Sequence, residues 1–79
     1  MTILYSKTSL NYLGRLERSY RKRIVSAIDK LPGHGDIKKM KGKKLANLFR
    51  LRIGKYRIIY QMEEEIIKIL DIDTRGDIY

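Results

Sequence analysis

Three arginines, Arg50, Arg52 and Arg57, carry the chemistry that this sequence can do. Arg50 and Arg52 alternate with Phe49, Leu51 and Ile53, and Arg57 follows directly after Gly54-Lys55-Tyr56. A guanidinium matches a phosphate bidentately and stays charged at any physiological pH, so arginines gathered on one surface point to a phosphodiester before a carboxylate metabolite. Between Asp36 and Glu63 there is no acidic residue, yet that interval holds Lys38, Lys39, Lys41, Lys43, Lys44, Arg50, Arg52, Lys55 and Arg57, half of the 18 basic residues. Lys38 to Lys44 alone read equally well as a solvated loop and as a nucleic-acid contact. The arginines do not, because a merely soluble face mixes Lys, Glu and Thr.

Other groups offer less chemistry. His34 is the one histidine, in a Gly-rich turn after Pro32 and far in sequence from the arginines, where solvent exposure outweighs a catalytic or metal role. With no cysteine and no second histidine, a zinc site is excluded, and no thiolate can act as a nucleophile. Glu63, Glu64 and Glu65 read as a hairpin tip, and Asp71, Asp73 and Asp77 as solvated carboxylates with nothing to enclose a magnesium ion. Gly33-His34-Gly35 and Lys41-Gly42-Lys43 lack phosphate-loop spacing. Tyr5, Tyr12, Tyr20, Tyr56 and Tyr60 are mostly structural. Neither a metal nor a cofactor is expected.

Positioning the arginines requires a strand hairpin. From Leu48 the apolar period is two, and Gly54-Lys55 is a two-residue turn with glycine first, as a type II′ turn requires. That turn fixes the register: Ile53 faces Tyr56, Arg52 faces Arg57, Leu51 faces Ile58 and Arg50 faces Ile59. Phe49, Leu51, Ile53, Ile58 and Tyr60 then point to the core, and Arg52 and Arg57 lie opposite each other on the other face. Like charges so placed cost roughly 0.2 to 1 kcal/mol, which argues that they are kept for an anion. The second hairpin strand runs from Tyr56 to Met62, and Ile66 to Ile72 reads as a third strand.

Upstream, residues 2 to 6 read as an edge strand, and Thr8 or Ser9 offers a cap for a helix with Leu10, Leu13 and Leu16 on its buried face. A second helix carries Tyr20, Ile24, Ala27, Ile28 and Leu31 on one stripe and ends at Pro32 and the Gly33 to Gly35 turn. The expected fold is α+β, an N-terminal strand and two helices packed on a three-stranded antiparallel meander, in a single domain over residues 1 to 79.

The segments LFRLRIGKYRIIYQM, IIKILDI and TRGDIY resemble the RelE/ParE toxin superfamily of type II toxin–antitoxin pairs, and the resemblance covers nearly the whole chain. Its most specific part is the Gly-x-Tyr-Arg-Ile-x-Tyr hairpin with a closing Arg-x-x-x-Tyr. The RelE-like branch implies a ribosome-dependent, metal-independent messenger RNA endoribonuclease. It implies catalytic roles for Arg50, Arg52, Arg57, Arg75 and Tyr79, and the uncompensated basic segment makes Lys38, Lys39, Lys41, Lys43, Lys44 and Lys55 the expected RNA-binding residues. The implied reaction is attack of a ribose 2′-OH on the adjacent phosphate, with Arg52 and Arg57 stabilising the phosphorane and Tyr79 stacking on a base or exchanging a proton. Arg50 and Arg52 stand where RelE-like enzymes commonly have lysine, and Thr74 where histidine is frequent. The alternatives are a ParE-like toxin that poisons DNA gyrase and a degenerate member that binds RNA or antitoxin without cutting.

A formal charge of +9 on 79 residues, with a core thin at that size, asks for an anionic partner. Messenger RNA on the ribosome and an acidic antitoxin from a neighbouring gene are the expected partners. No apolar run approaches a membrane span, and a cytoplasmic location is expected.

Overall fold

The computed structural model describes residues 1–40 and 47–74. The elements are β1 (Thr2–Tyr5), α1 (Lys7–Gly14), α2 (Arg18–Asp29), β2 (Asp36–Lys39), β3 (Leu48–Ile53), β4 (Tyr56–Glu63) and β5 (Ile66–Asp73). Five strands form one sheet in the order β1-β5-β4-β3-β2, with β1 parallel to β5 and the other pairs antiparallel. The expected meander is therefore the centre of a wider sheet. The N-terminal strand closes one edge, as read from the sequence, and β2, which the sequence reading left among the loops, closes the other. Neither helix is long and apolar enough to cross a membrane.

The hairpin register is the one that the turn dictates: Ile53 with Tyr56, Arg52 with Arg57, Leu51 with Ile58, Arg50 with Ile59. Gly54 has φ +56°, while the positive-φ residues other than glycine are Asn47 and Glu64 among those described. A left-handed first position followed by an ordinary second one suits the right-handed twist of the two strands. Alternation then sorts the side chains. Leu51, Ile58 and Tyr60 are buried, Phe49 and Ile53 pack at the core margin, and the Phe49 and Tyr60 rings stack at 5.5 Å.

Leu13, Ile24, Ile28 and Leu31 cover that face from the helix side, and Ile67, Ile69 and Ile72 complete it from β5. Ile69 and Ile72 are both buried although three residues apart, because the β4–β5 register shifts at Ile59/Tyr60. Such a bulge leaves backbone groups off the ladder. Here α1 supplies the partners: Ser6 N–H donates to the Ile69 carbonyl at 2.9 Å, and the Ser6 and Ser9 hydroxyls reach the carbonyls of Leu70 and Ile69 at 2.9 and 3.3 Å.

That contact corrects the expected start of α1. Ser6, and neither Thr8 nor Ser9, caps the helix by accepting from Ser9 N–H at 3.1 Å, and Ser9 is wholly buried inside the first turn. The buried side of α1 accordingly runs through Ser9 and Leu13, with Leu16 packing on the core just after the helix, which turns Leu10 to solvent with 54% exposure. On α2 the predicted stripe holds, except that Tyr20 lies at its exposed margin and meets the Tyr56 ring at 6.2 Å.

Three tyrosine hydroxyls are held above their ordinary value of 10.0. Burial is the main cause at each, reinforced by Asp29 at Tyr5 and opposed at Tyr12 by a hydrogen bond with Thr74. A raised folded-state value means stability fully present below about pH 10 and lost as pH rises through the folded values. The Tyr5 hydroxyl is also buried with no hydrogen-bond partner among the described residues. Tyr5→Phe should leave stability at pH 7 unchanged or raise it by about 1 kcal/mol, and should make the alkaline loss shallower. Urea unfolding of both proteins at neutral and alkaline pH measures this, and a variant weakened by more than about 1 kcal/mol would contradict it.

Candidate nucleic-acid interface

The face of the sheet turned away from the helices carries the arginines. Cross-strand pairing arranges it in two rows, Asp36-Arg52-Arg57-Asp73 and Lys38-Arg50-Ile59-Asp71. Arg52 and Arg57 are opposite each other, as the turn requires, and each has an aspartate opposite it on its other side. Arg57 Nη2 pairs with Asp73 Oδ2 at 3.3 Å, and Arg50 Nη2 pairs diagonally with Asp36 Oδ1 at 3.6 Å. The basic segment lacks counterions in sequence but not in space. Asp36 and Asp73, expected to be solvated or incidental, are parts of this surface that the sequence reading missed. Their positions depend on the pairing of β2 and β5, which no local motif announces.

These ion pairs leave donors unused. The Arg50 and Arg57 side chains are only 19% and 26% exposed, and the Nε of each is buried without a hydrogen-bond partner among the described residues. An N–H shielded from water and unpaired within the fold costs on the order of 1 kcal/mol or more until a ligand accepts from it. Both arginines, with Lys38 and Lys39 from β2 and Met40 just after it, line a groove of about 500 Å³. Four cations therefore converge on one open depression whose described lining contains no carboxylate. Partial burial strengthens their field relative to charges in bulk water.

Arg52 is exposed and stands beside the groove without lining it. Lys55 lies apart from it: its ammonium is 5.9 and 5.7 Å from the centres of the Tyr20 and Tyr56 rings, on the helix side of the sheet. Lys41, Lys43, Lys44, Arg75 and Tyr79 lie outside the described residues. Among the described residues no cluster of three potential metal ligands occurs. His34 is on the helix side as well, against α2. The groove thus presents charge stabilisation by guanidinium and ammonium groups, without an imidazole.

The comparisons agree with this architecture. Residues 3–79 match the model of the ParE toxin of the type II toxin–antitoxin system parDE. The RelB–RelE antitoxin–toxin complex from Methanococcus jannaschii contains a chain 32% identical, with 96% of this chain and 94% of that one aligned at a TM-score of 0.76. The archaeal RelE–RelB complex from Pyrococcus horikoshii OT3 gives 28% identity, 95% and 94% coverage and a TM-score of 0.79. The intact E. coli RelBE toxin–antitoxin complex shares the fold at 15% identity, with 92% and 94% coverage and a TM-score of 0.66. No curated protein matches. Matched over almost its whole length by a toxin family model and by RelE-type folds, the chain belongs to the RelE/ParE superfamily of type II toxin–antitoxin toxins.

Proposed function

We propose that this toxin cuts messenger RNA bound at the ribosome and that the groove of Arg50 and Arg57 receives the scissile phosphodiester. The observation that carries the reading is the convergence of the half-buried Arg50 and Arg57 side chains with Lys38 and Lys39 on one groove whose described lining holds no carboxylate. In the reaction the 2′ oxygen bonds to phosphorus, the bond to the 5′ oxygen breaks, the 2′-OH proton passes to a base and the departing oxygen takes up a proton. Arg57 and Arg52 offset the charge that builds on the phosphorane, Arg50 positions the backbone, and Arg75 and Tyr79 are the further candidates that the family pattern names. An arginine is a poor base, so the proton acceptor comes from elsewhere, the ribosome included.

An acidic antitoxin, as RelB accompanies RelE in the similar complexes, is the proposed partner of the same basic face. Two results follow for binding. Affinity for a short single-stranded RNA should fall steeply between about 50 and 200 mM salt, by roughly tenfold or more for three or four phosphate contacts. The neighbouring gene's product should abolish that binding. A flat salt dependence, or RNA bound equally well in the toxin–antitoxin complex, would sink the proposal that this face holds RNA. The family model also favours a second reading, a ParE-like gyrase poison. That reading requires inhibition of DNA supercoiling by the purified chain.

A further inference from the structure

The helix layer has a basic cleft of its own. Arg23, Ser26 and Ala27 on α2 and Lys30 at its C-cap fall at i, i+3, i+4 and i+7 and so share one side of the helix. With His34, Gly35 and Ile53 they line a cleft of about 390 Å³. The small side chains of Ser26 and Ala27 lie between the two cations, leaving room for a ligand that both can reach. Ile53 belongs to the helix-facing set of β3, whereas Arg50 and Arg52 point the opposite way. The cleft and the arginine groove are therefore on opposite faces of the sheet.

Its electrostatics differ from those of the groove. Arg50 and Arg57 each have an aspartate within the fold, but no acidic residue lines the cleft, and Arg23 and Lys30 make no ion pair among the described residues. The hairpin turn and the core locate two parts of its rim. A Cβ built at Gly54 would lie 3.9 Å from Arg23 Nη2, which places that guanidinium beside the hairpin turn. Gly35, at φ +113°, seats its backbone so closely on buried Leu51 that a Cβ there would come within 2.6 Å of Leu51 Cδ1, and this anchors the turn that carries His34. Two permanent cations, an imidazole and a hydroxyl around open space, with no carboxylate in the described lining, suit a multiply hydrogen-bonding anion.

We propose that this cleft is a second phosphate-binding site, taking a backbone phosphate of a nucleic acid between Arg23 and Lys30, with Ser26 and His34 as further donors. The proposal does not depend on the chain's cutting RNA. Phosphate sites on opposite faces let one small domain touch two backbone segments of a folded RNA at once, so that the second contact forms at high effective concentration.

The test is a titration of the intact isotope-labelled chain with inorganic phosphate at low salt, followed by NMR. Saturable shifts are expected at Arg23, Ser26, His34 and Gly35, and they should vanish in Arg23→Gln/Lys30→Gln, whose altered side chains are exposed. The same double variant should bind a folded RNA with a salt slope shallower by about 0.7 to 0.9, the contribution of one phosphate contact. Shifts confined to Arg50 and Arg57 would overturn the second site while leaving the RNA reading of the groove intact. So would an unchanged salt slope, or a polyglutamate peptide that fills the cleft when RNA does not. The wild-type titration decides the matter by itself if the double variant fails to fold.

Discussion

Arg57→Ala should lower the rate of ribosome-dependent messenger RNA cleavage by about 10²- to 10³-fold, comparable with removal of one preorganised donor from an oxyanion site. The expectation rests on a side chain that is three-quarters shielded, aligned opposite Arg52, and part of the groove's lining. Sequence reasoning alone gives the same substitution almost no effect on stability, because it also removes the repulsion from Arg52. The Asp73 contact shifts that balance. Losing a half-buried ion pair at 3.3 Å should cost about 1 kcal/mol, so the variant remains folded. Arg57→Lys keeps the charge but not the fork and should recover stability better than rate. Denaturant unfolding and single-turnover cleavage on the same preparations separate the two effects. An Arg57→Ala protein that is folded and cuts at the parental rate would remove this arginine from the active site.

Gly35→Ala should have the largest effect on folding. Its φ of +113° belongs to glycine, and the added methyl carbon would meet Leu51 Cδ1 at 2.6 Å. A flexible side-chain tip elsewhere could move aside, but Leu51 is wholly buried between helices and sheet. Backbone strain and overpacking together should cost about 3 kcal/mol, most of the stability that a domain of this size commands. Gly33→Ala is the control, since nothing lies within 4 Å of a Cβ there and its φ is not positive. It should be neutral or stabilise by up to about 1 kcal/mol through the unfolded chain. Urea midpoints of the two variants compare them directly, and equal midpoints would contradict the placement of Gly35 against the core. The residue following Gly35 is Asp36, so the substitution should also loosen the strand that brings Lys38 and Lys39 to the groove.

Much of this surface was legible from local signals. The Gly54-Lys55 turn has only two residues, so one local choice set every pairing from Phe49 to Tyr60 and put Arg52 opposite Arg57. The α2 stripe from Ile24 to Leu31 was equally plain, because long apolar residues recur at helical spacing. What escaped was non-local. Asp36-Ile37-Lys38-Lys39 contains one apolar residue, too few to display an alternation, and it becomes a strand by pairing with β3. The parallel pairing of β1 with β5 joins opposite ends of the chain. Asp73 looked like one of several solvated carboxylates until β5 was set beside β4. Leu10 was assigned to the core because three-residue spacing fits a helix face. The two serines that bond the bulge in β5 decided which face was inside.

The resemblance to RelE/ParE toxins led to the correct superfamily, and the solved RelE complexes bear out the architecture. Lys55, grouped with the RNA-binding residues by its place in the basic segment, stands over two tyrosine rings on the other side of the sheet. Proximity in sequence brought it into the set.

The central claim is that the Arg50–Arg57 groove cuts messenger RNA on the ribosome. The most direct measurement is to map messenger RNA 5′ ends in a translation extract supplied with the purified wild-type chain or with Arg57→Ala, beside a gyrase supercoiling assay of the same samples. New ends within translated codons are expected for the wild-type chain, ends reduced at least a hundredfold for Arg57→Ala, and supercoiling unaffected by either. Intact messenger RNA together with inhibited supercoiling would contradict it and move the chain to the gyrase-poisoning branch.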